Sequence, residues 1–496
     1  MDDEGASPTE ASEVGPSLAP VEERVQQESQ KVASEPRSKW YIEHTALFVT
    51  TTKWAILGTI SGLCVGIGTK FFLWSLAEAS AWLATETGNR VPPYLWLPLS
   101  LPLCVFLIRT FAPEAQGHGT EAVIEAVHQR SGRISWKVAP VKLLATILTL
   151  ATGGSVGKEG PCAQIGAAVS SLFADVLRLA DADRRRLVIC GISAGFAAVF
   201  GTPVSGALFG IEVLYLGRIE YSVLFPSLLA GIMAHLVCDV SPPVVNVPPS
   251  TIVSGQFVFV LLTLGLGVIF GLVALLFIEL TELIEARLHH YRSHPYQVAC
   301  FGGALLVIFF FIFGALYSGL GVETIEAVLH GGNAPIAAGL LKMLATAVTL
   351  EVGGSGGILT PLFFIGTTVG AAIAQLCGLP ISLVSAFGFI SLLGASTNTP
   401  IAAAVMGMEI LPGPVGVYAA LSVCAAYLIV GHRSVYPSQR IGFAKSAGLE
   451  FDLDVPIGEV TIGSMRVREG SLTKRVSSVR KRLRKRVDGK KGGEEK

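Results

Sequence analysis

Apolar residues run along this chain in long blocks. Blocks near 44–69, 92–109, 224–243, 255–280 and 297–318 are each long enough to cross hydrocarbon about 30 Å thick as a helix. Other apolar blocks are short or broken: 139–151, 163–174, 187–200, 203–217, 335–350, 361–376, 381–394, 401–411 and 415–430, with Gly or Pro punctuating their ends. In lipid an irregular backbone survives only when buried in protein or lining a wet cavity. Many half-length, interrupted helices therefore have to enclose something polar at mid-membrane. The pattern predicts an all-α polytopic membrane protein. Its membrane domain is expected over residues 39–440, between a disordered N-terminal tail (1–38) and a short basic C-terminal tail (441–496).

An internal repeat organises that domain. VKLLATILTLATGGSVGKEGP, residues 141–161, aligns with LKMLATAVTLEVGGSGGILTP, residues 341–361, at an offset of 200. Lys142 matches Lys342, GGS matches GGS and Pro161 matches Pro361. Upstream, GHGTEAVIEAVH (117–128) is similar to GLGVETIEAVLH (319–330), and downstream TP followed by Glu occurs twice, as Pro203/Glu212 and Pro400/Glu409. The repeats are expected at about 39–243 and 250–440. Duplicated halves with matching broken helices mark transporters and channels whose site lies between the repeats, and an inverted relation is the expected one.

Composition agrees with the membrane reading: 51% of residues are hydrophobic and 15% charged, against about 25% charged in soluble domains. The formal net charge is zero but unevenly spread. Residues 1–40 carry nine acids and four bases; residues 461–496 carry thirteen bases and four acids. A basic tail after the last apolar block places the C-terminus in the cytoplasm and lets it touch anionic lipid headgroups. No nucleic-acid partner is expected. The eight cysteines are scattered, without CxxC or Cys/His clusters, and read as small buried hydrophobes rather than disulfides or a metal site. No metal and no cofactor is expected.

The chemistry sits at the broken helices. A helix start exposes N–H groups and about half a positive charge. Glycine admits close approach of a ligand, and proline fits the first turn without losing a hydrogen bond. GGSVGKEGP and GGSGGILTP both have this form, each followed by an apolar helical run. If the two starts converge, they form a site for a small anion. Candidate anion-binding residues are His118, Gly119, Gly157, Gly160, Gly357, Ile358, Leu359 and Tyr436. Glu159 lies in the first turn of one start, where a carboxylate can occupy the anion site when charged and leave it when protonated. It is the candidate gate and proton acceptor. Its counterpart in the repeat is Leu359. The alternative reading is a helix cap facing Lys158. His118 reads as facing the pathway or as a loop histidine at the membrane edge. Glu212 and Glu409 read as helix-packing anchors or proton-route groups. Tyr436 reads as an interfacial anchor or as a hydroxyl donor to an anion.

GKEGP at 157–161, GGILTP at 356–361, the TP…E repeats and SVYPS at 434–438 resemble the CLC family of chloride channels and proton-coupled anion transporters, in its prokaryotic form without cytoplasmic regulatory domains. The likeness spans roughly residues 40–440. It implies inverted halves with about eighteen uneven membrane helices, a homodimer with a pore in each subunit, and cytoplasmic termini in an inner membrane. Glu159 then matches the family's external gating glutamate and Tyr436 the tyrosine that coordinates the central anion. Leu359 stands where the family usually has phenylalanine, with Gly357 and Ile358 beside it. His118 stands where the family's G-S-G-I-P motif has its anion-contacting serine.

The expected function is transport, not enzyme catalysis: no GxxxxGK[ST] or HExxH motif occurs. Coupled members of the family often carry Glu-Glu after TP. Here Glu212 is followed by Val213, which cannot titrate at the internal proton-relay position, and Glu212 points about 100° away around the helix. This favours a chloride channel conducting passively, gated by protonation of Glu159. The alternative is a proton/chloride antiporter, or a CLC-type transporter for fluoride or nitrate.

Overall fold

The computed structural model describes residues 36–86, 91–245, 256–291, 293–413, 415–460 and 465–474. Residues 1–35 of the acidic tail and the basic run 479–486 lie outside the described residues. The chain falls into two compact units, Met1–Trp54 and Ala55–Lys496. The described part of the first is helical; the candidate site belongs wholly to the second.

The expected all-α polytopic architecture is present. Helices α1 (Pro36–Glu86), α2 (Leu97–Phe111), α3 (Thr120–Gln129), α4 (Val138–Ala151), α5 (Glu159–Val176), α6 (Asp181–Phe200), α7 (Pro203–Glu212) and α8 (Leu224–Cys238) come first. Then α9 (Gln256–Leu288), α10 (Pro295–Phe313), α11 (Val322–Leu329), α12 (Ala338–Glu351), α13 (Leu359–Cys377), α14 (Ile381–Ser396), α15 (Pro400–Ile410) and α16 (Val415–Val430) repeat the order element by element. Among the described residues, six helices are long and apolar enough to cross a membrane. Five coincide with the long apolar blocks. The sixth, Leu359–Cys377, contains a block that looked short in sequence, because the helix begins inside the glycine motif itself.

Where the repeats meet, they bond to each other reciprocally. Gly157 and Gly357 form an antiparallel bridge, each N–H donating to the other's carbonyl at 2.6 Å. The Ser155 N–H donates to Thr349 Oγ1 at 3.3 Å and the Ser355 N–H to Thr149 Oγ1 at 3.0 Å. The Ser155 hydroxyl meets Thr346 at 3.0 Å, and the Ser355 hydroxyl meets Thr146 at 3.2 Å. All of these side chains are buried, so the polar atoms of each broken helix are satisfied by the other half rather than by water.

The same logic closes the TP…E helices. The Glu212 carboxylate, at the end of α7, accepts from the N–H groups of Ile401 and Ala402 at 3.1 and 2.8 Å, at the start of α15. Glu409, near the end of α15, accepts from Val204 and Ser205 at the start of α7, both at 2.9 Å. Each carboxylate caps the other helix's N-terminus, where dipole and unpaired donors favour negative charge. Both glutamates thus hold the starts of the opposite repeat's helices.

Flanking helices cross at matched glycines. A Cβ on Gly166 of α5 would meet the Gly191 carbonyl oxygen of α6 at 2.4 Å, and one on Gly366 of α13 would meet that of Gly388 of α14 at 2.2 Å. Small residues at membrane helix contacts allow this backbone approach. Beyond α16 the chain returns across the second unit. β1 (Tyr215–Leu216) pairs in parallel with β2 (Arg440–Ile441), and β3 (Leu449–Glu450) pairs antiparallel with β4 (Arg466–Val467). The cysteines are all free; Cys104, Cys162, Cys190 and Cys238 are buried, whereas Cys64, Cys300, Cys377 and Cys424 are exposed. The reading of all of them as buried is corrected, since an apolar block supplies the lipid-facing surface as well as the core.

Removing either cap is expected to leave two helix-start donors unpaired. Glu212→Ala or Glu409→Ala should each destabilise the fold by about 1–3 kcal/mol. The check is thermal unfolding in detergent, where unchanged melting would mean that the reciprocal caps contribute nothing.

Candidate anion site

The two motif copies turn identically before their helices. Gly153 and Gly353 both have positive φ, 83° and 108°, which glycine adopts at little cost. The Gly154 and Gly354 N–H groups then bond back to the carbonyls of Thr149 and Thr349, and the Gly157–Gly357 bridge brings the starts of α5 and α13 together. Gly157, Gly160, Gly357, Ile358 and Leu359 are all buried at this junction.

Glu159, 1% exposed, is the first residue of α5, yet its carboxylate is received by the other half. Thr360, second residue of α13, donates its N–H to Oε2 at 3.1 Å. The Thr360 hydroxyl lies 2.6 and 2.5 Å from the two carboxylate oxygens. The acid thus occupies the exposed N-terminus of the partner repeat's helix, a position suited to any small anion. It is not a cap on its own helix.

The first motif closes the site from another side. Gly119, with φ 85°, precedes α3. A Cβ there would lie 2.5 Å from the Gly160 carbonyl oxygen, and a Cβ on Gly160 would lie 2.1 Å from the His118 carbonyl oxygen and 3.0 Å from Gly357 Cα. The backbone of His118–Gly119 therefore touches the residue after Glu159. His118 is half-buried, and its Nδ1 is buried with no partner among the described residues. The loop is held by Lys142, which is fully buried and donates to the carbonyls of Ala115 and Gly117 at 3.1 and 2.6 Å. Lys342 does the same for Tyr317 and Gly319, at 3.2 and 2.7 Å. These lysines were visible in the repeat as a matched pair, but their use as loop anchors was not.

Tyr436 is 1% exposed, which corrects its reading as an interfacial anchor. Its backbone N–H donates to the Ser434 hydroxyl at 3.1 Å. Its segment is stitched to several helices: Val435 N–H to Ser396 O at 2.9 Å, Ser438 N–H to Glu121 Oε1 at 2.8 Å, and Gln439 Nε2 to the carbonyls of Val213 and Thr397 at 2.9 and 3.1 Å. The candidate residues from all three motifs thus gather in one place. Glu212 caps the start of α15, and buried Val213 is tied through its carbonyl to Gln439, on the segment that carries Tyr436. Thr360 and Glu121 were missed in the sequence. Thr360 takes the place of Gly160 in the aligned repeat, a difference beside the Glu159/Leu359 one that could have drawn notice. No group of three or more His, Cys, Asp or Glu among the described residues could hold a metal ion.

The voltage gated chloride channel family matches residues 100–431. The chain belongs to this family. It is 34% identical over 411 residues to a chloride/fluoride channel protein of Pseudomonas syringae pv. tomato, covering 81% of this chain and 90% of that one. It is 29% identical over 383 residues to the H(+)/Cl(-) exchange transporter ClcA of Cronobacter sakazakii, covering 72% and 80%. Its fold is similar to the crystal structure of a CLC-type fluoride/proton antiporter, with a TM-score of 0.74, 29% identity, and coverage of 79% of this chain and 98% of that one. The expectation of passive, channel-type conduction is corrected by these findings, because most of the relatives and the solved neighbours are described as exchangers. The inference from Val213 was too narrow: a proton needs a chain of titratable groups or water, not an acid at one particular position.

Gly160→Ala is expected to force the His118 loop and the α5 start apart, costing about 3 kcal/mol by overpacking. Size-exclusion chromatography and thermal unfolding should show a less stable protein, with halide flux lost in liposomes. A normal melt with normal flux would contradict the packing described.

Proposed function

We propose that this chain is a proton-coupled antiporter of a small halide. The observation that carries the reading is the Glu159 carboxylate seated on the Thr360 N–H and hydroxyl at the start of the opposite repeat's helix. Charged, Glu159 competes with a halide for those donors. Taking up a proton, it loses its attraction to the helix start and vacates the seat. The halide then fills the seat, and the proton and halide occupy the site in alternation. Gly119, Gly157, Gly160 and Gly357 admit the ion close to the backbone, and His118, Ile358, Leu359 and Tyr436 line the seat in this proposal. Since the donors are N–H groups, a hydroxyl and helix ends, an anion is favoured and a cation disfavoured.

Chloride is the transported ion read from the family. Fluoride is the second reading, supported by the fluoride named for the Pseudomonas relative and for the antiporter of similar fold. The Thr360 hydroxyl adds a compact donor where the other repeat has glycine. The proposal includes two copies forming a homodimer with one pathway each, residence in a bacterial inner membrane with lipid contact along the apolar helices, and cytoplasmic termini, the last supported by the basic C-terminal tail.

The test is purified protein in liposomes under a chloride or fluoride gradient. The expected outcome is proton movement against the proton gradient, driven by halide, with halide flux rising as pH falls and protonated Glu159 leaves its seat. Halide flux without proton movement would sink the antiport reading. Glu159→Gln should abolish both the proton movement and the pH dependence. Hydrogen bonds to a charged group are worth about 1.5–3 kcal/mol, so Thr360→Val, which removes a donor that the carboxylate and the halide share, should lower halide flux about tenfold, with Thr360→Ser near the parent rate.

A further inference from the structure

Coupled exchange needs a way for protons to reach Glu159 from the face opposite its gate, and Val213 offers no titratable group for it. The structure holds a different acid in a suitable place. A cavity of about 500 Å³ opens between α2, α3, the end of α9, and α12, on the side of the returning C-terminal segment; it is lined by Arg109, His118, Glu121, Glu285, His289 and Glu351. Glu285 and His289 on its rim are exposed. Glu121, deeper in, is half-buried. Its Oε1 accepts from the Ser438 N–H and hydroxyl. Its Oε2 is buried without a partner among the described residues, as is His118 Nδ1 in the same cavity.

The separation from the gate is small. The His118 carbonyl packs on Gly160, next in sequence to Glu159. Tyr436, two residues from the Ser438 that holds Glu121, is buried on the same segment. Resting on the antiport reading above, we propose that Glu121 is the internal proton-exchange residue of this chain, loading protons from the cavity and passing them past His118 and Tyr436 to Glu159. In the loading step a carboxylate oxygen of Glu121 takes a proton from cavity water. In the transfer step that proton leaves Glu121, which returns to carboxylate, and ends on the Glu159 carboxylate, which becomes the neutral acid. The charged and titratable groups around Glu121 suit a funnel for protons: Glu125 on its own helix, Glu285 and His289 at the rim, Glu351 at the end of α12, with Arg109 on α2 and Lys142 behind His118. An unpaired carboxylate oxygen inside a membrane domain is costly, and ionisable residues kept there mark ion pathways and proton relays.

The experiment is halide and proton flux measured together on full-length protein in liposomes. Parent protein is expected to couple them. Glu121→Gln keeps an acceptor oxygen for Ser438, so it should retain halide flux while proton transport falls at least about tenfold; Glu121→Ala should do the same, covering poor packing of the amide. Glu121→Asp should restore coupling. If the parent moves no protons, the antiport reading itself fails. If the parent couples, and both Glu121→Gln and Glu121→Ala couple as it does, the relay through Glu121 is overturned while the antiport reading stands.

Discussion

The bridge between Gly157 and Gly357 is the interaction on which the rest of the structure depends. Two helices are broken inside a membrane domain, and each break leaves backbone donors and acceptors that lipid cannot satisfy. The chain meets this by folding one break onto the other. Reciprocal bonds then repeat outward, through Ser155 with Thr349 and Ser355 with Thr149, to the carboxylates of Glu212 and Glu409 on each other's helices. Reciprocity of this kind is what a two-fold relation between like surfaces produces. It also couples the duplicated motifs: several polar groups in one copy find their partners in the other.

Function enters where the symmetry fails. The second copy has Leu359 and Thr360 where the first has Glu159 and Gly160. One half supplies an acid and the other supplies the hydroxyl that holds it. Gly160, lacking a side chain, leaves room for the His118 loop to close over the junction. The two differences belong together, since a symmetric pair of glutamates would repel each other and a symmetric pair of leucines would leave helix-start donors without a negative partner.

Much of the site was legible because it is written in local signals. Glycine-rich stretches before apolar runs, a proline in the first helical turn and a lone acid among them all act within one or two turns of chain, so Glu159, Gly157 and Gly357 could be picked out directly. Residues whose role rests on distant partners were not legible in the same way. Lys142 is a conspicuous charge in an apolar helix, but its partners are carbonyls 25 and 27 positions back. Tyr436 looked like an interfacial residue because it follows the last apolar run, and only the packing of its segment against α3 buries it. Val213 misled for the opposite reason: its chemistry was read correctly, but the absence of an acid at one position was allowed to stand for the absence of any route.

By itself, the sequence determined the all-α membrane architecture, the duplication, and which residues carry charge inside it. These follow from hydropathy and spacing, properties that each segment has alone. Tertiary structure decided which helix start receives Glu159, which helices Glu212 and Glu409 cap, and that Glu121 and His118 share a cavity near the gate. Those outcomes depend on the crossing of the two halves. A helix terminus carries the same dipole whatever faces it, so its partner is chosen by the fold and not by the helix's own residues.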